Sequence, residues 1–395
     1  MHSFPLIILL FVLVMGSFGC TSPSSNLRMD AEASDADAQF YLGEEYRRGL
    51  KGKQDHKTAV FWYQKAAEQG HLMAQYNLGV SYANGEGVAQ DDKQAVYWYL
   101  KAADQSFAMA QFNLGLMYKL GTGVQQDIKQ AVYWIQKAAD QSLAEAQNEL
   151  GLLYATGQGV SKDDKQAVHW FQKAAEQGDA IAQNNLGNRY HEGNGIQLDF
   201  NQSVYWYLKA AEQGLADAQR NLGMVYANGD GVIQDRTQAG VWFMKAADQG
   251  LAEAQYLVGA MYFFGEGVTQ NAIKAMDWYK KAADQGMADA QYAIGIGYLS
   301  GLGVKHNQKK GMFWCKKAAE QGFTDAQFMI GSIYVFTDIV QAYKWLDIAS
   351  SNGHKPSEQL RDGLKSRMTG EQFYEAQRLS KNWIESHLQT EASKE

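Results

Sequence analysis

The chain has 395 residues, a hydrophobic fraction of 46% and a formal net charge of −7 at pH 7. This acidic balance, without any basic run, argues against nucleic acid as a partner, because such proteins need a basic surface to displace counterions from phosphates. Two cysteines are too few for a disulfide framework, and only three prolines favour a chain rich in helix.

The first residues resemble an export signal. An apolar run from Leu6 to Met15 is too short to span a bilayer as a helix but fits the core of a secretory signal peptide. Gly19 before Cys20 resembles a bacterial lipoprotein cleavage box, in which the cysteine becomes the lipidated first residue. An ordinary cleaved signal with an incidental cysteine is the alternative. We expect a signal peptide over residues 1–19 and a flexible, polar tether over 20–33.

These features predict export to the cell envelope or periplasm. Lipid on Cys20 would attach the chain to a membrane. Thr21 follows Cys20 in place of the aspartate that often retains enterobacterial lipoproteins in the inner membrane, which favours the outer membrane.

The rest of the sequence repeats itself every 36 residues. The dipeptide Ala-Gln recurs with its glutamine at positions 39, 75, 111, 147, 183, 219, 255, 291 and 327, and tryptophan recurs on the same period from 62 to 314. A short helical hairpin cannot bury both of its faces unless copies of it stack. The period therefore predicts an all-α fold, an αα-hairpin solenoid in the form of a right-handed superhelix, with nine repeats over residues 34–353.

The second copy shows how a repeat divides into two helices. Ala74, Leu78 and Tyr82 are spaced i, i+4 and i+8, which places them on one buried face of a first helix. Glycine stands at the position of Gly79 in all nine copies, although it costs about 1 kcal/mol against alanine inside a helix. A close helix–helix contact is expected there. Gly85 is suited to ending the helix in the left-handed conformation.

The second helix of the copy has its own start signal. Aspartate or asparagine at the position of Asp91 in the first eight copies predicts an N-cap, and Gln94 three residues later approximates a capping box. Trp98 belongs to the predicted apolar face. Lys101 and Asp104 predict an i, i+3 ion pair on the solvated side.

The pattern changes near the end of the chain. The ninth copy lacks the Gly-x-Gly loop after Tyr334, and Trp345 arrives five residues early, which predicts a shortened loop. Over residues 354–395 we expect a C-terminal cap of two helices, opening at Pro356 and at the capping box that begins with Thr369, followed by a short tail.

The string KAAEQGHLMAQYNLGVSYANGEGVAQDDKQAVYWY, residues 65–99, resembles the Sel1-like repeat almost position for position. The resemblance extends over residues 34–353, and the ending MTGEQFYEAQRLSKNW is similar to that of bacterial members. The related tetratricopeptide repeat has a period of about 34 residues and lacks the Gly-x-Gly-Val loop. The resemblance implies an αα-superhelix that organises protein complexes, at bacterial envelopes or in host interaction, without catalytic residues.

The sequence contains no motif for catalysis, for a metal or for a cofactor. Its eight histidines form no His-Glu-x-x-His pattern or zinc-ligand spacing, and the phosphate-binding Gly-x-x-x-x-Gly-Lys-Ser/Thr motif is missing. Some cysteine-rich relatives are described as β-lactamase-like, but they staple each repeat with a disulfide, and this chain also has no Ser-x-x-Lys. We predict a chain that is not an enzyme and binds no cofactor.

Candidate binding residues lie where the repeats differ. An asparagine ladder on the first helices lies opposite their invariant face; related tetratricopeptide clamps use such amides to grip a peptide backbone, and local hydrogen bonding is the alternative. The fifth copy is the most unusual, with polar residues where its neighbours are apolar, and we expect exposed aromatic side chains such as Tyr76 and Phe264 on either side of it. The candidates are Asn77, Asn113, Asn185, Asn188, Arg189, His191, Glu192 and Asn221.

These observations predict a protein–protein interaction scaffold of the bacterial cell envelope that holds a protein or peptide in a concave groove centred on repeats four to six. One alternative is an envelope hydrolase acting on peptidoglycan or β-lactams. The other is a structural spacer without a specific partner.

Overall fold

A computed structural model describes residues 27–50 and 52–392, which contain helices joined by short loops and no strand. The expected signal peptide, Cys20 and the first part of the tether lie outside these residues. Within them, no helix is both long enough and apolar enough to cross a membrane. The chain divides into two compact units, Met1–Asp199 (unit 1) and Phe200–Glu395 (unit 2).

In unit 1 the described residues form ten helices, and consecutive helices pack against each other. Their bounds are α1 (Leu27–Glu32), α2 (Ala36–Arg48), α3 (His56–Glu68), α4 (Leu72–Asn84), α5 (Asp92–Asp104), α6 (Ala108–Leu120), α7 (Ile128–Asp140), α8 (Ala144–Thr156), α9 (Asp164–Glu176) and α10 (Ala180–Glu192).

In unit 2 the described residues form eleven helices. They are α11 (Phe200–Glu212), α12 (Ala216–Asn228), α13 (Arg236–Asp248), α14 (Ala252–Phe264), α15 (Ala272–Asp284), α16 (Ala288–Ser300), α17 (Gln308–Glu320), α18 (Thr324–Tyr334), α19 (Ile339–Ser351), α20 (Lys355–Lys365) and α21 (Gly370–Ala392). The last two are the helices expected beyond residue 354.

The short helix α1 lies within the segment 20–33 that we expected to be a flexible tether. Ala31 is fully buried and packs with Leu42 and Trp62 of the first repeat. The carbonyl of Ala31 also accepts a hydrogen bond of 3.0 Å from Nε2 of Gln39. The tether prediction is therefore wrong for residues 27–32, because this segment gives the first repeat an apolar neighbour and an acceptor.

The glutamine of the Ala-Gln pair is buried in every repeat and joins it to the repeat before. Nε2 of Gln75 donates to the carbonyl of Ala67, at the end of α3, over 3.1 Å. Oε1 of Gln75 accepts from Nε2 of Gln105 over 2.8 Å, and Gln105 also donates to the carbonyl of Gly70. The last carbonyls of a helix have no partner within the helix. Each second helix from α3 to α17 is therefore capped by an amide from the following repeat.

This hydrogen bond to the preceding helix recurs on the 36-residue period. It is made by Gln39, Gln75, Gln111, Gln147, Gln183, Gln219, Gln255, Gln291 and Gln327, over 3.0 to 3.3 Å. The Ala-Gln pair marked the repeat in the sequence, but its role as a cap was not predicted.

The invariant glycine of the first helix makes the close contact that the sequence predicted. A Cβ atom on Gly79 would lie 2.7 Å from the ring of Tyr99, which follows the tryptophan of the same repeat. Tyr99 is almost fully buried. Any larger residue at Gly79 would collide with this ring. Gly85 has a φ of 71° and ends α4 in the left-handed conformation, as predicted.

The predicted N-caps are confirmed for α3, α5, α7, α9, α13, α15 and α17, but the capping box predicted for Asp91 and Gln94 does not form. Oδ1 of Asp91 accepts from the backbone N–H of Lys93 and Gln94, over 3.0 and 3.1 Å. The N–H of Asp91 itself donates to the carbonyl of Tyr82 and so does not need the Gln94 side chain. A reciprocal box forms in the C-terminal cap, between Thr369 and Gln372.

The expected ion pairs between the repeat lysine and the acidic residue three positions later are replaced by ring contacts. The ammonium of Lys137 lies 4.6 Å from the ring centre of Tyr133 and 5.1 Å from that of Trp134. Asp140 instead accepts a hydrogen bond from Gln136 over 2.9 Å. The prediction was wrong because the half-exposed ring of Tyr133 and the buried ring of Trp134, one turn before the lysine, offer it favourable π-faces.

The ninth repeat has the shortened loop that the sequence predicts. Helix α18 ends at Tyr334, and Asp338 caps α19 by accepting from the N–H of Val340 and Gln341. This shift by five residues places Asn352 where the other repeats have the glutamine that donates to the buried amide. Asparagine is one methylene shorter, and Oε1 of Gln327 is buried without a partner.

Restoring the longer amide at this point should stabilise the last repeat. We expect Asn352→Gln to raise the free energy of unfolding by about 1 kcal/mol, since it supplies a donor to a buried acceptor. Urea unfolding followed by tryptophan fluorescence would measure the change. The matched control is Gln321→Asn, which removes the 2.7 Å bond to Gln291 and should destabilise by about 1–3 kcal/mol. A lower midpoint for Asn352→Gln would contradict this interpretation.

Candidate functional site

The candidate surface of unit 1 consists of two columns of side chains on its first helices. We call it the first-helix face and define it by the residues Asn77, Val80, Asn113, Leu116, Glu149, Leu152, Asn185 and Asn188. All eight are half-buried. Members of one helix are three positions apart and are therefore neighbours on its surface. The face combines apolar and polar groups that the packing of the repeats leaves partly accessible.

Asn77 is engaged by a charged cluster of the first repeat. Its Nδ2 donates to Oε1 of Glu44 over 3.1 Å. The same carboxylate accepts from Arg47, Arg48 and the hydroxyl of Tyr63. Burial alone would raise the pKa of Glu44, but these hydrogen bonds hold it below its usual value. Asn77 is therefore part of a structural network, which supports the alternative of local hydrogen bonding.

Asn113 lies in a different environment, beside the hydroxyl groups of Tyr76 and Tyr99. Burial raises the pKa of both phenols. Nδ2 of Asn113 and the hydroxyl of Tyr99 are each buried without a hydrogen-bond partner. The difference from the first repeat arises because Val80 occupies the position of Glu44. Asn113 is thus the member of the asparagine ladder in unit 1 that retains an unused donor.

Asn185 donates from Nδ2 to Oδ1 of Asn148 over 2.9 Å, which joins repeats four and five through a pair of amides. Asn148 is almost fully buried, where most other repeats carry an aromatic ring at this position. Asn221 is half-buried on α12 in unit 2. The ladder is therefore a set of residues with different local partners.

The unusual polar residues of the fifth repeat also differ in their exposure and in their contacts. A guanidinium N–H of Arg189 donates to Oδ1 of Asp164 over 3.1 Å, and the group lies 5.8 Å from the ring centre of Phe171. Arg189 is thus held against α9. Glu192 is exposed and accepts a hydrogen bond from Asn194. His191 is half-buried in the last turn of α10. Asn188 is the one of these candidates that lies on the first-helix face.

The expected exposure of aromatic side chains is only partly correct. Tyr76 is 7% exposed, because its ring packs edge-on against Phe107 and beside Tyr99. Phe264 is 66% exposed, as expected, at the end of α14 in unit 2.

One residue pair on the first-helix face was missed at the sequence level. Lys119 of α6 forms an ion pair of 2.5 Å with Glu149 of α8, and both side chains are mostly buried. Glu149 occupies the position in repeat four that is equivalent to Asn77, Asn113 and Asn185 in repeats two, three and five. A comparison of charged residues within that column would have found it.

The described residues were compared with the side-chain groups that hold metal ions or act as nucleophiles. Among the described residues, no group of three or more histidine, cysteine or acidic side chains is placed to hold a metal ion. Burial raises the pKa of the Cys315 thiol to about 12, and its side chain is inaccessible. The first-helix face instead offers amide groups, one ion pair and apolar side chains, which suit binding.

The contrast between Tyr63 and Tyr99 can be tested by removing each hydroxyl. Tyr63→Phe should destabilise the chain by about 1–3 kcal/mol, because Glu44 loses a hydrogen bond inside a buried cluster. Tyr99→Phe should be neutral or stabilising by about 1 kcal/mol, because its hydroxyl is buried and unpaired. Phe171 and Phe243 already occupy this position in other repeats. Urea unfolding of the two variants would contradict the assignment if the order of stability were reversed.

Comparison with known proteins identifies the family to which these repeats belong. The family model described as Sel1 repeat matches residues 36–71, 72–107, 108–143, 144–179, 180–215, 216–251, 252–287, 288–323 and 324–354. A comparison with curated proteins gives no match. The crystal structure of a Sel1 repeat protein from Oxalobacter formigenes is similar, with 38% identity over 76% of this chain and 88% of that chain and a TM-score of 0.63.

A second similar structure is c5321, a protective antigen present in uropathogenic Escherichia coli strains and displaying an SLR fold. It is 34% identical over 92% of this chain and 94% of that chain, with a TM-score of 0.55. Nine consecutive matches on the 36-residue period agree with the helices, loops and caps described above. The chain therefore belongs to the Sel1 repeat family, whose α-solenoids generally act as protein–protein interaction scaffolds.

Proposed function

We propose that this chain is a scaffold of the bacterial cell envelope that binds a protein or peptide on the first-helix face of unit 1. The proposal rests on the different roles of the equivalent positions in successive repeats. The positions that carry glutamine, glycine, alanine and tryptophan serve packing and helix capping. The first-helix face is half-buried and changes from Val80 and Leu152 to Asn188 along the unit.

The chemistry of this face favours a partner segment with both apolar and polar side chains. Val80, Leu116 and Leu152 supply an apolar strip on successive first helices. Asn113 contributes an amide N–H without an acceptor, which a peptide carbonyl would satisfy after a small rotation of the side chain. Interfaces of this kind draw most of their affinity from a few well-packed contacts. The partner would therefore be held by specific side chains and not by charge alone.

The proposed location in the envelope is supported by the N-terminal sequence and by one relative. Gly19 and Cys20 match a lipoprotein cleavage box in part. The similar protein c5321 is a protective antigen present in uropathogenic Escherichia coli strains. A lipid-anchored scaffold facing away from the cytoplasm is compatible with both observations.

The binding surface can be tested by crosslinking inside cells. A photo-crosslinking amino acid at Leu152 should capture a discrete partner, while the same group at the exposed Gln172 of α9 should not. With the captured partner purified, Asn188→Leu should weaken its binding by about tenfold or more. Leucine occupies this position in repeat four, as Leu152, and the unfolding midpoint of the variant would be measured beside its affinity.

Two results would contradict this placement. One is equal capture from positions 152 and 172, which would indicate contact without a specific surface. The other is an unchanged affinity of the Asn188→Leu variant for the captured partner. A chain that captures no partner from any position would favour the role of a structural spacer.

The lipid anchor has a separate test. Radiolabelled palmitate should be incorporated into the wild-type chain in cells and fractionate with membranes, and Cys20→Ser should abolish both. A chain that is exported and shortened but carries no label would show that the signal is an ordinary cleaved one. This outcome would leave the proposed binding surface unaffected.

A further inference from the structure

Unit 2 has an edge formed by the loops within its repeats. Each loop packs on the first turn of the preceding second helix. A Cβ atom on Gly267 would lie 2.3 Å from the carbonyl oxygen of Arg236, and one on Gly303 would lie 2.2 Å from that of Ala272. Successive loops and first turns therefore form a continuous row. We call this row, residues 229–238, 264–274 and 301–310, the loop edge of unit 2.

Large apolar side chains project from this edge into water. Ile233 is 91% exposed, and Phe264 and Ile273 are 66% and 65% exposed. Leu302 is half-exposed, and its neighbours Gly301 and Gly303 line a shallow depression together with Ile273. The positions of Ile233 and Ile273 are occupied in unit 1 by small or polar residues, such as Ser161 and Lys165. Packing within the repeat does not require these side chains.

The same edge is basic in the eighth repeat. Residues 301–311 contain three exposed lysines, Lys305, Lys309 and Lys310, and no acidic residue. The equivalent residues 85–95 of the second repeat contain three acidic residues and one lysine, so the formal charge changes from −2 to +3. In the rest of the loop edge, Glu266 lies 3.5 Å from Arg236, and Asp230 and Asp235 lie on either side of Ile233. The excess of positive charge is therefore confined to residues 301–310.

We propose that the loop edge of unit 2 rests on a bilayer surface that carries anionic lipids. The exposed isoleucine, phenylalanine and leucine side chains enter the headgroup region, and the lysines contact the lipid phosphates. Ile273 and Lys305 line the same depression, and apolar residues beside cations are the combination that binds interfaces of this kind. A planar surface fits because the apolar residues project from separate loops and do not line a deep groove. The proposal does not depend on the partner site of unit 1.

Vesicle flotation would test this with the chain expressed from Ser22, which retains every described helix and lacks Cys20. It should float with phosphatidylcholine vesicles that contain phosphatidylglycerol and not with phosphatidylcholine alone. Lys305→Gln, Lys309→Gln and Lys310→Gln together should lower the apparent partition coefficient by about a hundredfold at low salt. High salt should reduce this difference, because the attraction is screened.

The matched control is the triple variant Lys93→Gln, Lys129→Gln and Lys165→Gln, which removes the same charge from the corresponding turns of unit 1. It should retain most of the binding. Ile273→Ser with Leu302→Ser should weaken binding at both low and high salt, with an unchanged unfolding midpoint.

Three outcomes would overturn the proposal. The first is that the wild-type chain does not float with the anionic vesicles, and the second is that the control triple variant loses as much affinity as the loop-edge variant. The third is that soluble polyglutamate binds as tightly as the vesicles, with no effect of the serine substitutions. That third result would identify an acidic protein segment as the occupant.

Discussion

The buried glutamine amide is the interaction on which the rest of the repeat depends. The last carbonyl groups of a helix need partners, and in a stack of helices many of these groups are shielded from water. Here a side chain from the following repeat supplies the donor, and its own carbonyl is bonded by a second glutamine at the end of the next helix. One repeat therefore cannot form its complete hydrogen-bond network alone, which ties stability to the presence of neighbours.

This coupling also explains why the ends of the array differ from its interior. The first repeat has no preceding repeat to cap, and α1 provides the carbonyl of Ala31 in its place. The ninth repeat has a shortened loop, and Gln327 keeps its bond to Ala319 but has no partner for its own oxygen. The C-terminal helices then cover the apolar face, with Trp383 against Trp345. Both ends replace a missing neighbour with a different local structure.

Much of this fold could be predicted from the sequence because its signals are local and repeated. The N-cap aspartates, the helix-ending glycines and the buried faces follow from spacing within one helix. Where a side chain had two possible partners nearby in the sequence, the sequence could not predict which one it contacts. Lys137 had an acidic residue three positions later and an aromatic ring four positions earlier, and only the half-exposure of Tyr133 decided between them. Likewise, Arg189 was predicted as a candidate binding residue, and its hydrogen bond to Asp164 could not be predicted because Asp164 lies in another repeat.

The basic first turn of α17 contains charges that do not stabilise the helix. Lys309 and Lys310 stand at the positive end of the helix dipole, where cations are disfavoured by roughly 0.3–1 kcal/mol each. The first turns of α5 and α9 also carry a lysine at the position of Lys309 (Lys93 and Lys165), but Asp92 and Asp164 precede these lysines. Lys310 recovers part of this cost by lying 5.3 Å from the ring centre of Tyr298, as Lys274 does with Tyr262. Lys309 has no comparable contact with a ring among the described residues. The first turn of α17 contains no acidic residue to compensate these two lysines, and the repeat does not bury the apolar side chains beside them.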